Sequence, residues 1–226
     1  MTIKRVGLIG VGLMGHGIGK NILAKGFALK VMAHRNRGPV DDLIARGASE
    51  AATPAEIAAD SDLVILCVTG TPQVESIVYG EHGLAFAERR GLIIADCSTA
   101  EPHSTIRIAA DLAKHGVMFV DTPMTRTPKE AEDGKLGLMV GGAAETVEKI
   151  RPVLECFADT IILSSFCSSA TEISNLPNVN GLTGPKLRVA VRTKKTQTLT
   201  QTQSQSQSQT QAASRTTRRN ADHEHH

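Results

Sequence analysis

The chain has 226 residues, room for one domain with an appendage, and 41% of them are hydrophobic, enough for a buried core. With five Phe, one Tyr and no Trp, that core is aliphatic, as suits a parallel sheet covered by helices on both faces. The net charge of +2 hides a division: residues 1–163 carry 17 basic and 20 acidic side chains, whereas residues 164–226 carry 8 and 3. A mildly acidic globular part gives no reason to expect nucleic acid as a partner, and the thinly spread basic tail reads as solvated charge. No apolar run approaches the ~18 residues of a membrane span, and no signal peptide precedes the first apolar segment, so the expected location is the cytoplasm. Cys67, Cys97, Cys156 and Cys167 lack C-x-x-C spacing, which predicts reduced, buried thiols. No metal site is predicted, the closing His223-Glu224-His225-His226 being read as an inert end.

In chain order, Ile3 to Ile9 reads as a strand and Leu13 to Lys25 as a helix closed by Gly26. Ala28 to Ala33 is a second strand, and Val40 to Arg46 a short helix ending at Gly47. Leu63 to Val68 is a continuous apolar run of the kind that fills a parallel strand buried on both faces. Leu92 to Ala95 and Val117 to Val120 are further strands, separated by a helix from His103 to His115. Leu136 to Val140 and Ile161 to Leu163 follow, with the helix Glu145 to Phe157 between them. The alternation predicts an α/β domain over residues 1–163, a doubly wound, mostly parallel sheet of Rossmann type. Residues 164–226 read as a separate polar tail. Fifteen of the sixteen residues from Thr196 to Gln211 are Thr, Gln or Ser, a tract expected to be disordered because it buries too little apolar surface.

Gly10-Val11-Gly12-Leu13-Met14-Gly15 is a G-x-G-x-x-G turn between the first strand and the first helix. In that context Gly10 makes the tight turn, Gly12 admits a pyrophosphate, and Gly15 lets helix and strand approach. The helix start supplies free N–H groups and the positive end of a dipole. Dinucleotide binders that take NAD place a carboxylate about twenty residues on, at the end of the second strand. Here the stretch is Ala33-His34-Arg35-Asn36-Arg37, without a carboxylate, so Arg35 or Arg37 is expected at a 2′-phosphate and the cofactor leans to NADP over NAD.

These residues resemble the β-hydroxyacid dehydrogenases, the family of 3-hydroxyisobutyrate dehydrogenase and tartronate semialdehyde reductase, related to 6-phosphogluconate dehydrogenase. The glycine turn followed by Asn21-Ile22 resembles that family's G-x-G-x-M-G…N-L signature. Val68-Thr69-Gly70-Thr71-Pro72-Gln73-Val74 resembles its cofactor-lining loop, and Asp96-Cys97-Ser98-Thr99 with Pro102 its D-x-S-T-x-x-P segment. Asp121-Thr122-Pro123-Met124, with Ala131, Gly134, Leu136, Met139, Gly141 and Gly142, resembles its substrate region. The resemblance implies hydride transfer between a nicotinamide and a small 3-hydroxyacid or semialdehyde. It implies cofactor contacts from Gly10, Gly12, Leu13, Met14, Gly15, His34, Arg35, Arg37, Val68, Thr69, Pro72, Val74, Ser98 and Thr99. Ser98 is also a candidate for substrate, as are Thr125, Arg126 and Thr127, which stand where the family has S-G-G; Arg126 there would clamp an anionic group.

The resemblance ends near residue 163. It implies a following helical domain, with most of the dimer contact and a lysine acid/base in a G-x-G-x-x-x-K-x-x-N stretch, but Ser164 to Glu172 has neither the glycines nor the lysine. Lys186 lies too far on to take the role, so no catalytic residue is assigned and the family dimer contact is expected to be lost. Two readings therefore stand beside each other: a dehydrogenase or semialdehyde reductase, and a truncated dinucleotide-binding module with little or no turnover. An interaction protein working through its tail is a weaker third.

Overall fold

The computed structural model describes residues 2–87, 89–164 and 189–191. Six strands, β1 (Arg5–Ile9), β2 (Ala28–Met32), β3 (Ser49–Glu50), β4 (Leu63–Leu66), β5 (Ile93–Asp96) and β6 (Met118–Asp121), form one parallel sheet in the order β3-β2-β1-β4-β5-β6. This is the doubly wound Rossmann order, in which the winding reverses between β1 and β4 and leaves a crevice at the strands' carboxyl ends. The connecting helices are α1 (Leu13–Ala24), α2 (Gly38–Ala45), α3 (Pro54–Asp60), α4 (Thr71–Tyr79) and α5 (Pro102–Lys114). Strand residues alternate between two buried clusters, Leu8, Leu63 and Ile65 on one face and Ile9, Val64 and Leu66 on the other. Burial on both faces is what the unbroken apolar runs foretold.

The chain then builds a second sheet from β7 (Met124–Thr125), β8 (Leu136–Val140), β9 (Ala158–Ser164) and β10 (Val189–Val191), in the order β10-β9-β8-β7. Between them lie α6 (Pro128–Glu132) and α7 (Ala144–Phe157). β8 and β9 pair in parallel across α7, while β7 pairs antiparallel with β8. Reciprocal backbone bonds between Asp121 and Gly141, at 2.9 and 2.8 Å, join this sheet to the edge of β6. The pattern of short strands foretold β8 and β9 but not their membership of a separate sheet. Of the polar tail, Ser164 ends β9 and residues 189–191 form β10, while residues 165–188, with Cys167 and Lys186, the Thr/Gln/Ser tract and the His-rich end lie outside the described residues.

α3, α4 and α6 went unforeseen because they are short and only their inner faces are apolar. Their starts are nonetheless marked by Pro54, Pro72 and Pro128 in the first turn, where the missing N–H costs nothing. α3 is also capped, Thr53 Oγ1 accepting from Glu56 N–H at 3.2 Å.

α1 is approached closely on three sides. A Cβ on Gly15 would stand 2.0 Å from the Gly10 carbonyl oxygen, and one on Gly17 2.5 Å from the Ala131 backbone of α6. One on Gly19 would meet Leu43 of α2 at 2.7 Å. Asn21 fastens the same contact: its amide donates to the carbonyls of Gly17, Ala131 and Glu132 at 2.8, 2.9 and 3.3 Å. The signature asparagine thus closes the end of α6 onto α1, adding a side-chain donor to the last carbonyls of that helix. A Gly17→Ala variant meets backbone rather than a movable side chain. Overpacking of this kind costs about 1–3 kcal/mol, more than the helix gains from alanine. Urea unfolding should show that loss, and a variant as stable as the parent would refute the close packing.

Candidate dinucleotide site

A cleft of about 870 Å³ opens over the carboxyl ends of the strands. Gly10 and Gly12 form its floor, His34 and Arg35 the β2 side, Val68, Thr69 and Pro72 the β4 side, with Gln73, Ser76 and Ile77 of α4 as the outer wall. Gly10 adopts φ +101°, a left-handed conformation open to glycine, and a Cβ there would also strike the Cys67 carbonyl at 2.2 Å. Gly12, by contrast, has nothing within 4 Å of the place of a Cβ, so its backbone faces open space at the start of α1. α1 begins there without a side-chain cap. Its first N–H groups and the dipole's positive end are thereby left for an anion. A bare glycine backbone, an uncapped helix start and a cleft beside them fit a pyrophosphate.

The remaining candidates fall into different environments. Leu13 is 80% exposed on the first turn of α1, while Met14 packs partly against the core and Gly15 is buried against the turn. Val74 is fully buried on the inner face of α4 and lines no part of the cleft. The two arginines after β2 differ. Arg37 is engaged by Glu50 through two bonds of 2.9 and 3.0 Å and by Asp41 at 3.0 Å, so its guanidinium is occupied. Arg35 lines the cleft and has no hydrogen-bond or ion-pair partner among the described residues. Of the pair, Arg35 alone lines the cleft with its guanidinium uncommitted among the described residues.

Ser98 is buried and its Oγ accepts from Val68 N–H at 3.1 Å, whereas Thr99 is exposed, its carbonyl lying beside Gly70. Thr125, Arg126 and Thr127 lie on the second sheet's edge, outside the cleft lining. Thr125 Oγ1 donates to the Gly137 carbonyl at 3.3 Å, and Thr127 forms a reciprocal capping box with Glu130 at the start of α6. Arg126 holds φ +82°, a strained conformation for a non-glycine residue, where the family's motif has glycine. Its guanidinium bonds Asp159 at 2.9 Å, Thr160 Oγ1 at 3.1 Å and the Lys135 carbonyl. Its Nη1 and Nη2 are thus already engaged within the second sheet.

Gln73, part of the loop motif, lines the α4 wall, but nothing in the sequence motifs marks Ser76, Ile77 or His82 beside it. Pro72 before an i, i+3, i+4 apolar pattern, Val74, Ile77 and Val78, was the available signal. The motifs also leave unmarked His16, which ties the phosphate turn's helix to its neighbours. Its Nδ1 meets Glu132 of α6 at 2.6 Å and its Nε2 meets Asp42 of α2 at 2.8 Å. Lys20 pairs with the same glutamate and Arg46 with the same aspartate. Cys67, Cys97 and Cys156 are free, and burial pushes the Cys67 thiol up to about 12. Among the described residues no cluster of His, Cys, Asp or Glu could hold a metal ion, and no helix is long and apolar enough to cross a membrane.

Comparison with known proteins agrees with the turn and the cleft. Residues 5–166 match the sequence model of the NAD binding domain of 6-phosphogluconate dehydrogenase. The 2-hydroxy-3-oxopropionate reductase of Escherichia coli (strain K12) is 33% identical over 160 residues, 70% of this chain and 54% of that enzyme. The chain belongs to the β-hydroxyacid dehydrogenase family. A second relative, the NAD-dependent L-serine dehydrogenase of Pseudomonas aeruginosa, is 33% identical over 159 residues, 70% of this chain and 53% of that enzyme. The solved structure of Psf3 in complex with NADP+ and 2-OPP superposes with a TM-score of 0.68 at 29% identity, covering 75% of this chain and 60% of that one. The matched segment is a nicotinamide-dinucleotide-binding domain, and the chain spans about half the length of the curated relatives it matches.

Burial alone would lower the pKa of His16, but its bonds to Glu132 and Asp42 outweigh that and raise it. A raised folded-state value means that the imidazolium's stabilisation is complete below the ordinary histidine range, about 6.5, and is lost as pH climbs through the folded value. Thermal melts of the parent should fall off over that window relative to those of His16→Gln. A difference between the two that does not change with pH would count against the clamp.

Proposed function

We propose that the domain binds NADP in preference to NAD and serves reversible hydride transfer with a small 3-hydroxyacid or semialdehyde. The observation that carries the cofactor preference is the unpaired Arg35 guanidinium on the β2 side of the cleft, with Arg37 held by Glu50 and no carboxylate from Ala33 to Arg37. An arginine fork matches a 2′-phosphate, and the carboxylate that would select a ribose diol is missing. Gly10, Gly12 and the first turn of α1 would hold the pyrophosphate, while Val68 and Thr69 would border the path toward the nicotinamide. When bound, the nicotinamide supplies or accepts the hydride at C4. The protein's part is to orient that ring and exclude water beside it. Arg126 would join as a substrate clamp in competition with Asp159, which its guanidinium already holds.

A second reading, a dinucleotide-binding module with little turnover, is supported by the sequence after β9. Ser165 to Glu172 carries neither the glycines nor the lysine of the family's acid/base stretch. The loss of a positioned acid/base lowers a rate by about 10²–10⁴. A fluorescence titration with NADPH and NADH, followed by a semialdehyde-reduction assay, separates the two readings. NADPH should bind more tightly than NADH. Arg35→Ala should weaken NADPH by about 10-fold or more, as for a lost charge-assisted bond, and leave NADH little changed. Tighter binding of NADH, or no response to Arg35→Ala, would overturn the NADP preference. Tight binding with no turnover would favour the module.

A further inference from the structure

Asp96 ends β5 and is 1% exposed. Its Oδ1 accepts the Ser98 N–H at 2.9 Å, while Oδ2, equally buried, has no hydrogen-bond partner among the described residues. A buried carboxyl oxygen without a donor destabilises the fold, so its retention calls for a compensating role. Burial pushes this carboxyl up, and the Ser98 bonds only partly offset the rise.

Ser98 is 4% exposed, and its Oγ accepts from the Val68 N–H at 3.1 Å. Leu66 of β4 and Asp96 of β5 are register partners, so the loops that follow them leave the sheet side by side. They are stapled twice, once by Ser98 and again where Glu101 N–H donates to Thr71 Oγ1 at 2.8 Å. Val68 and Thr69 form the β4 wall of the cleft. In this fold a dinucleotide lies across the switch point, so the half away from the adenosine at β2 is expected on the β4–β5 side of that wall. Ser98 is too buried, and its oxygen too committed to Val68, to serve chiefly as a ligand contact.

We infer that Asp96 is a positioning residue for the nicotinamide half of the cofactor: through Ser98 it fixes the Val68 amide and so the loop that this half must pass. Asp96 itself touches no ligand. The inference rests on the dinucleotide-binding reading above and adds to it a division of labour. The glycine turn and Arg35 hold the adenosine half, whereas the Asp96–Ser98–Val68 chain sets the other.

The test compares NADPH with 2′,5′-ADP, which carries the adenosine half alone, in Asp96→Ala, Asp96→Asn and Ser98→Ala. NADH with 5′-ADP serves as a parallel pair. Asp96→Ala and Ser98→Ala should weaken the whole dinucleotide by about 3–10-fold, as for a lost hydrogen bond, and leave the adenosine half within about 2-fold. Asp96→Asn keeps an acceptor for Ser98 N–H and should restore the affinity. A merely structural carboxylate would give equal losses for both ligands, and that result would overturn the inference while leaving the dinucleotide reading intact. Unchanged NADPH affinity in Ser98→Ala would also overturn it, and this small substitution decides the matter if Asp96→Ala does not fold. Failure of the parent chain to bind either dinucleotide would instead overturn the underlying reading.

Discussion

The structure depends on how near other backbone comes to α1. At Gly15 the helix lies against its own turn, at Gly17 against α6, and at Gly19 against Leu43 of α2. A helix with three glycines on its contact faces is poor by intrinsic propensity and forms because its neighbours hold it. The gain is position: with the helix drawn in, its first N–H groups stand at the floor of the cleft. Asn21 and His16 complete the arrangement by tying α6 and α2 to the same helix. The phosphate-binding turn is thus one end of a packing arrangement that extends into the second sheet's connections.

Charge around the cleft is distributed by partner rather than by sequence position. Arg35 and Arg37 are two residues apart and look equivalent, yet β3 brings Glu50 to Arg37 and leaves Arg35 without an anion. The same logic holds at the second sheet, where β9 brings Asp159 to Arg126. In both cases the competing carboxylate comes from a neighbouring strand, and a ligand must match its geometry or find a guanidinium that has none.

Much of the fold was legible because buried parallel strands are continuous apolar runs. β1, β4 and β8 stood out for this reason, and Gly26 and Gly47 punctuated the helices as expected, with φ +85° and +106°. The second sheet was not legible, since nothing local in Leu136 to Val140 distinguishes a new sheet from an extension of the old one. At the site, Gly10, Gly12, His34, Arg35, Val68, Thr69 and Pro72 were found by motif and do line the cleft. Val74 is buried away from the cleft, and a loop motif gives no account of which face of the following helix turns inward. Arg37, Arg126 and Thr127 were ambiguous because their partners, Glu50, Asp159 and Glu130, become neighbours only on folding or through a cap. Asp96 was visible as part of a motif, but burial alone reveals that one of its oxygens stands unpaired.

The two hydrophobic clusters lie on opposite faces of the six-stranded sheet. One, with Ile18, Ile22 and Leu43, supports the floor and the β2 side of the cleft; the other, with Val74, Val78 and Leu84, supports the α4 wall. The cleft is therefore a seam between two separately packed layers, and its width is a mechanical property of both. Repacking either layer at a distance, with no cleft residue altered, shifts one lip against the other, and the bound length of an extended ligand acts as a gauge of how well the layers are aligned.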